Sequence, residues 1–248
     1  MTCFVSPTSG FRCGLPFAMN HPYPYPMAFR PPLVRALLNT DSNGNPINNQ
    51  LPFKTQTRRV MKPRPLVHNN KVALWKREFE WILDEVPDYV IKACPRAGVG
   101  DRIWVKETMR VIWCDLSKHQ IQVKYMADGT DSTILPFPER LKCRPVVGKC
   151  LPRGGYREVS RLLLDVVSVG VERIQDITPN DAIQEGIDIK VTESGIVYRD
   201  YSKKDFWVTD PIQSFRTLWD SINQDLGFGW DTNCVIWKRV LKKCQSPF

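Results

Sequence analysis

Apolar and polar positions along the chain fall into short, well-punctuated segments. In PPLVRALLN, Pro31 and Pro32 stand ahead of Leu33, Leu37 and the Val34/Leu38 pair, a spacing that predicts a short helix opening on proline. ITPNDAIQEGI predicts another. Thr178 suits the N-cap, Pro179 the first helical position, Asp181 the third position after the cap and Gly186 the stop, which leaves Glu185 at the helix end. DPIQSFRTLWDSIN predicts a third helix, capped by Asp210 and started by Pro211. Its stripe of Phe215, Leu218, Trp219 and Ile222 at i, i+3, i+4 and i+7 reads as core. Strands are predicted at Ile103, Trp104 and Val105 after the Gly100-Asp101 turn, and at IQVKYMADGT, closed by Asp128-Gly129. REVSRLLLDVVSVGVERI reads as one long strand or two, and NCVIWKRVL as a closing strand. Residues 66–92 fit either strands or a short helix. No internal repeat is present, so the pattern predicts one barrel-like α+β domain, mostly β.

Residues 1–26 are rich in Pro, Gly and Ser and end in HPYPYP, as in an unstructured or loosely packed arm. That leaves 27–248 as the domain. TDSNGNPINN is a polar loop with a turn signal at Asn43-Gly44, and it delivers the chain to KTQTRR, residues 54–59.

Charge adds a partner class. The chain carries 35 Lys/Arg against 26 Asp/Glu, a net +9. Residues 1–64 hold eight basic residues and one acid, Asp41. Residues 140–161 hold seven, namely Arg140, Lys142, Arg144, Lys149, Arg153, Arg157 and Arg161, against Glu158. Such clusters favour anionic partners, nucleic acid or nucleotides among them, and solubility is the plainer explanation. The eight cysteines and three histidines show no zinc-knuckle spacing, so no metal or cofactor is expected. No apolar run reaches membrane-spanning length and no signal peptide is evident, so a cytoplasmic setting with reduced thiols is expected.

KTQTRR admits three readings. A threonine hydroxyl becomes a nucleophile once a base takes its proton, and Lys54 lies three residues before Thr57. On a straight strand those side chains would face opposite ways, so this reading requires a bend. Lysine would also need its pKa lowered by roughly 3 units from ~10.4, by burial or by Arg58 and Arg59 nearby. Glu185, at a helix C-terminus, would have its carboxyl pKa pushed upward by the helix dipole, as suits a general acid. The second reading is a phosphate clamp made by Thr55, Thr57, Arg58 and Arg59. The third is a solvated basic turn.

The order of segments is more specific than any one of them. PPLVRALLN, KTQTRR, CPRAGVGDRIWVKE, YMADG, the segment LPRGGYREVSR, VERIQDITPNDAIQEGI, FRTLWDSIN and the closing strand together resemble the ASCH family, in particular its larger phage and prophage members. The matching segments run from about Pro26 to Leu241. The resemblance implies a PUA-like fold, a small β-barrel flanked by short helices with a cleft beside it. It also implies RNA binding, or the activity of the small ASCH amidohydrolases that deacetylate N(4)-acetylcytidine. The lysine and threonine of their K-T-x-T motif fall on Lys54 and Thr57, their glutamate falls on Glu185, and the following arginine falls on Arg59, expected to line the cleft. The chain departs from those enzymes in its length, its N-terminal arm and its insertions near 40–52 and 66–92.

Two functions follow. The first is an amidohydrolase that removes an acyl group from N(4)-acylated cytosine, with Lys54 as base, Thr57 as nucleophile and Glu185 as acid. The second is a non-catalytic RNA- or DNA-binding module of phage origin. In either, Thr55, Arg58, Arg59, Lys106, Arg153 and Arg161 are the candidate contacts to RNA, DNA or a modified nucleoside, in a bacterial or phage-infected cytoplasm. Trp104 and Tyr156 are candidate stacking residues, although Trp104 lies in an apolar strand and reads as core.

Overall fold

A computed structural model describes residues 24–68, 71–74, 79–95, 97–139, 144–152 and 155–244. Residues 1–23 of the expected arm, and Arg140, Lys142 and Arg153 of the second basic cluster, lie outside the described residues.

The chain starts with strand β1 (Tyr25–Ala28), then helix α1 (Pro31–Leu38) and strands β2 (Gln56–Val60), β3 (Leu66–His68), β4 (Lys71–Leu74) and β5 (Phe79–Ile82). Helix α2 (Asp88–Lys92) and strands β6 (Arg102–Lys106), β7 (Met109–Asp115), β8 (Gln120–Tyr125), β9 (Leu135–Pro136) and β10 (Leu163–Arg173) come next. Then follow α3 (Pro179–Gln184), β11 (Ile189–Thr192), β12 (Gly195–Asp200), β13 (Phe206–Val208), α4 (Pro211–Asn223) and β14 (Val235–Lys243). The class is mixed α+β, mostly strand with a few short helices, as the pattern predicts.

The organising sheet has five strands in the order β1-β6-β10-β14-β2, and the other strands form three-stranded sheets β3-β4-β5, β7-β8-β9 and β11-β12-β13. Tyr25 and Pro26, placed in the arm by composition, are strand residues paired in parallel with Ile103 and Trp104. The Val/Leu-rich segment becomes one long strand, β10, bulged between Val166 and Ser168. Its start is not strand: Arg157–Val159 form a 3₁₀ turn.

Burial on both faces explains the apolar density of β14. Ile236 and Leu241 join the main core with Leu33, Leu37, Phe215 and Trp219 of α1 and α4. Val235 and Trp237 point into a second cluster with Val72, Trp81 and Val90. Residues 66–92, ambiguous in sequence, thus contain both strands and a short helix, and they cover the face of the sheet that Trp237 presents. A third cluster, around Met109, Ile121 and Phe137, fills the β7-β8-β9 unit. No helix among the described residues is long and apolar enough to cross a membrane.

The helix punctuation works as written. Thr178 accepts a hydrogen bond from the Asp181 N–H, and Asp210 accepts one from the Ile212 N–H. Gly186 ends α3 with φ +85°, in the left-handed region, and a Cβ placed there would lie 2.8 Å from Ala36 Cβ and 3.1 Å from Lys54 Cβ. Helix α1, the entry to β2 and the end of α3 therefore meet at a point only glycine can occupy. Gly186→Ala should cost about 2–4 kcal/mol from left-handed strain and overpacking, read from the urea unfolding midpoint.

Candidate functional site

Lys54 is buried where α1, α3 and β2 converge. Thr40, just after α1, donates through Oγ1 to the Ala36 carbonyl (2.8 Å) and accepts from the Lys54 N–H (3.0 Å). The Thr55 N–H donates to the Gln184 carbonyl (2.9 Å), and Leu241 N–H donates to the Thr55 carbonyl (2.7 Å). These bonds carry the chain into β2 in extended form, pinned between α3 and β14.

The Lys54 ammonium has no access to solvent. Its Nζ donates to the Glu185 carbonyl at 2.6 Å and to Glu185 Oε2 at 2.9 Å. Burial pushes the Lys54 pKa down to about 8, against the opposing pull of Glu185. This is the lowered lysine that the base reading requires. Glu185 does not sit alone at a helix end, the surroundings expected of it. Its other oxygen, Oε1, accepts from Arg58 Nη1 at 3.1 Å, so the carboxylate lies between two cations.

Arg58 is the hub. It is 2% exposed. It donates to Glu172 Oε1 (2.7 Å), Asp181 Oδ2 (3.0 Å) and Glu185 Oε1 (3.1 Å). Burial opposes the charge of Arg58, but these carboxylates outweigh it and hold the pKa above its usual value. Lys238 adds a contact to Asp181 at 2.7 Å and one to Glu172 at 3.7 Å. Lys54, Arg58 and Lys238 thus face Glu172, Asp181 and Glu185, a cluster whose charges cancel. Buried ions survive only when compensated in this way. Gln56 completes the lattice, donating to Asp181 Oδ1 (2.9 Å) and Gln184 Oε1 (2.6 Å), and Thr55 Oγ1 donates to the same Gln184 oxygen (3.0 Å).

Thr57 stands apart. Its Oγ1 is buried and has no hydrogen-bond partner, so Lys54 and Thr57 are not joined. The bend that would put them on one face is absent, because β2 is already paired at Thr57 with Arg239. An unpartnered buried hydroxyl costs about 1–3 kcal/mol; Trp237 Nε1, on the paired strand opposite Arg59, is also buried without a partner.

A cavity of about 400 Å³ opens beside the cluster, with Arg58, Arg59, Glu185, Phe29 and Trp219 on its wall. Arg59 donates to the Ala28 carbonyl (3.0 Å), and its guanidinium carbon lies 5.2 Å from the centre of the Phe29 ring. Lys54 and Thr57 are not among the residues of this wall. Phe29 and Trp219 gave no sign of this role in the sequence; only burial at helical spacing was visible for Trp219. Glu172 and Lys238 were missed entirely, and Asp181 was read only as the third position after a helix cap.

The other expected contacts divide. Arg58 and Thr55 are bonded internally and are not free to grip a phosphate. Arg161 forms a fork on Glu107 (both bonds 2.9 Å), reaches Asp128 at 2.8 Å and covers the Tyr125 ring at 4.0 Å. It neutralises Glu107, which is 1% exposed. Lys106 lies over Trp104, 5.8 Å from the ring centre, and its carbonyl accepts from the Phe29 N–H. Trp104 is buried, as core, and Arg153 lies outside the described residues.

Two outcomes follow. Arg161→Ala should cost about 3–5 kcal/mol at neutral pH by leaving a buried carboxylate unpaired. Burial already raises the Glu107 pKa. A raised carboxyl pKa lowers stability as pH rises, so the loss should shrink on acidification, as thermal melts across pH would record. Lys54 should titrate near pH 8 by side-chain NMR, and Glu185→Gln should move that titration lower by removing the anion that favours the ammonium. Comparison of the chain with family models, with curated proteins and with solved structures finds no match.

Proposed function

We propose that the chain is an amidohydrolase that removes an acyl group from the exocyclic nitrogen of a cytosine base, as its resemblance to the ASCH family implies, on a PUA-like domain. The observation that carries the reading is the buried Lys54 amine, with its pKa lowered to about 8, bonded directly to a Glu185 carboxylate that reaches the cavity wall. Burial alone lowers the amine, so the feature that separates this pair from a structural one is its path to a ligand-sized space.

The cavity, at about 400 Å³, falls within the range of small-molecule sites. Phe29 and Trp219 offer flat apolar surface to a base, and Arg59 supplies positive charge where the acyl oxygen would become an oxyanion. The scheme requires the entry to β2 to rearrange locally when substrate binds, because the extended strand does not join the Thr57 hydroxyl to the Lys54 amine. Thr57 Oγ1 then attacks the acyl carbon, and its proton passes to Lys54 Nζ. The proton moves across the 2.9 Å hydrogen bond to Glu185, which delivers it to the departing cytosine nitrogen as the C–N bond breaks. Water then attacks the acyl-threonine, Lys54 takes a proton from the water and returns it to Thr57 Oγ1 as the ester C–O bond breaks, and the carboxylic acid leaves.

The test is release of cytidine from N(4)-acetylcytidine, followed by chromatography. Because the neutral amine is the working form, kcat/KM should rise with pH and level off above an apparent pKa near 8. Roughly a tenth of Lys54 is then active at pH 7. Lys54→Ala, Thr57→Ala and Glu185→Gln should each lower kcat/KM by at least ~100-fold. A Thr57→Ala protein with wild-type rates would remove the nucleophile from the scheme.

A further inference from the structure

A second cavity, of about 550 Å³, opens further along the same chain run, past the end of β2. Its wall includes Arg64 and Arg173, with Met61, Val235 and Phe228 as apolar surface, and among the described residues no acidic one lines it. Two cations lie over Phe228: Lys62 Nζ is 5.5 Å and the Arg64 guanidinium carbon 5.7 Å from the ring centre. Among the described residues Lys62, Arg64 and Arg173 enter no salt bridge, in contrast to Arg58 and Arg161. Asp176 accepts the backbone N–H of Arg173 (3.2 Å), while the Arg173 guanidinium donates to the Asn233 carbonyl (3.3 Å).

The wall is fixed rather than loose. Asn233 Oδ1 accepts from the Gln175 N–H (3.2 Å), and Trp219 Nε1 donates to the Phe228 carbonyl (2.7 Å). The latter bond ties this wall to Trp219, which lines the first cavity. Uncompensated cations beside a rigid, partly apolar hollow recognise an anion that carries a flat or apolar body. The space far exceeds what a bare phosphate needs.

We propose that this second cavity is a nucleotide site, with the phosphate held by Arg64, Arg173 and Lys62 and the base or sugar laid against Phe228 and the apolar wall. The nucleotide is either free or one unit of a single strand. The site does not depend on the hydrolytic reading, because binding here needs no acyl chemistry.

The experiment uses the full chain and ligands without acyl groups. Calorimetry compares cytidine 5′-monophosphate, cytidine and inorganic phosphate, and anisotropy follows a labelled single-stranded hexacytidylate over a salt series. The variants are Arg64→Ala and Lys62→Ala/Arg64→Ala, both at exposed positions, with folding checked by thermal melts. The expected result is a monophosphate bound roughly tenfold or more tightly than cytidine, with that advantage lost in the variants and cytidine binding unchanged. If the site serves a strand, the hexanucleotide binds instead, and its log–log salt slope falls by about 1 in Arg64→Ala. Either result supports the site. Equal binding of cytidine and its monophosphate, with no effect of the variants on the strand, would overturn it. So would inorganic phosphate bound as tightly as the nucleotide.

Discussion

The structure around the candidate site depends on keeping a cation in a dry place. Lys54 has its amine bonded to both the carboxylate and the carbonyl of Glu185, at 2.9 and 2.6 Å. Such burial is tolerable only because β2 presents Arg58 next to it and α3 presents Asp181 and Glu185 together. Removing any one member leaves another charge without its partner in a low-dielectric interior. The short helix α3 is therefore held to the sheet by ions as much as by apolar contact, with Ala182 and Ile187 supplying the latter.

The same cluster separates two kinds of arginine. Arg58 and Arg161 spend their donors on internal carboxylates, so the chain's net charge of +9 is not expressed where they sit. Arg59, Arg64 and Arg173 line cavities and enter no salt bridge among the described residues. Counting basic residues in KTQTRR could not reveal this division. It depends on Glu172 and Asp181, which are far from Arg58 in the chain and reach it only through the sheet and α3.

Local signals were read well where physics is local. Proline at helix starts, Thr178 and Asp210 as caps and Gly186 as a stop all act within a few residues, so the sequence displays them. Glu185 and Lys54 could be paired only through a family resemblance, since nothing local joins residues 131 positions apart. The strand at Tyr25–Ala28, parallel to β6, was hidden by its prolines, which mimic a linker, and the 66–92 segment was ambiguous because each of its strands is short. The Lys54–Thr57 geometry was misjudged for a different reason. The loop upstream suggested a bend, but pairing with β14 keeps the backbone extended through Thr57.

Among the described residues strand β2 has one strand neighbour, β14, and Thr57 faces Arg239 across the ladder. During synthesis the KTQTRR segment leaves the ribosome long before the residues that complete its hydrogen bonds. It must wait, with open backbone donors and acceptors, until β14 (Val235–Lys243) has been made. Loop closure over that span is slow, and an unpaired edge in the interval is a place where chains associate wrongly. The polar loop ahead of it and the charges within it, Lys54, Arg58 and Arg59, discourage such association. The residues that build the buried ionic centre thus also protect the nascent chain.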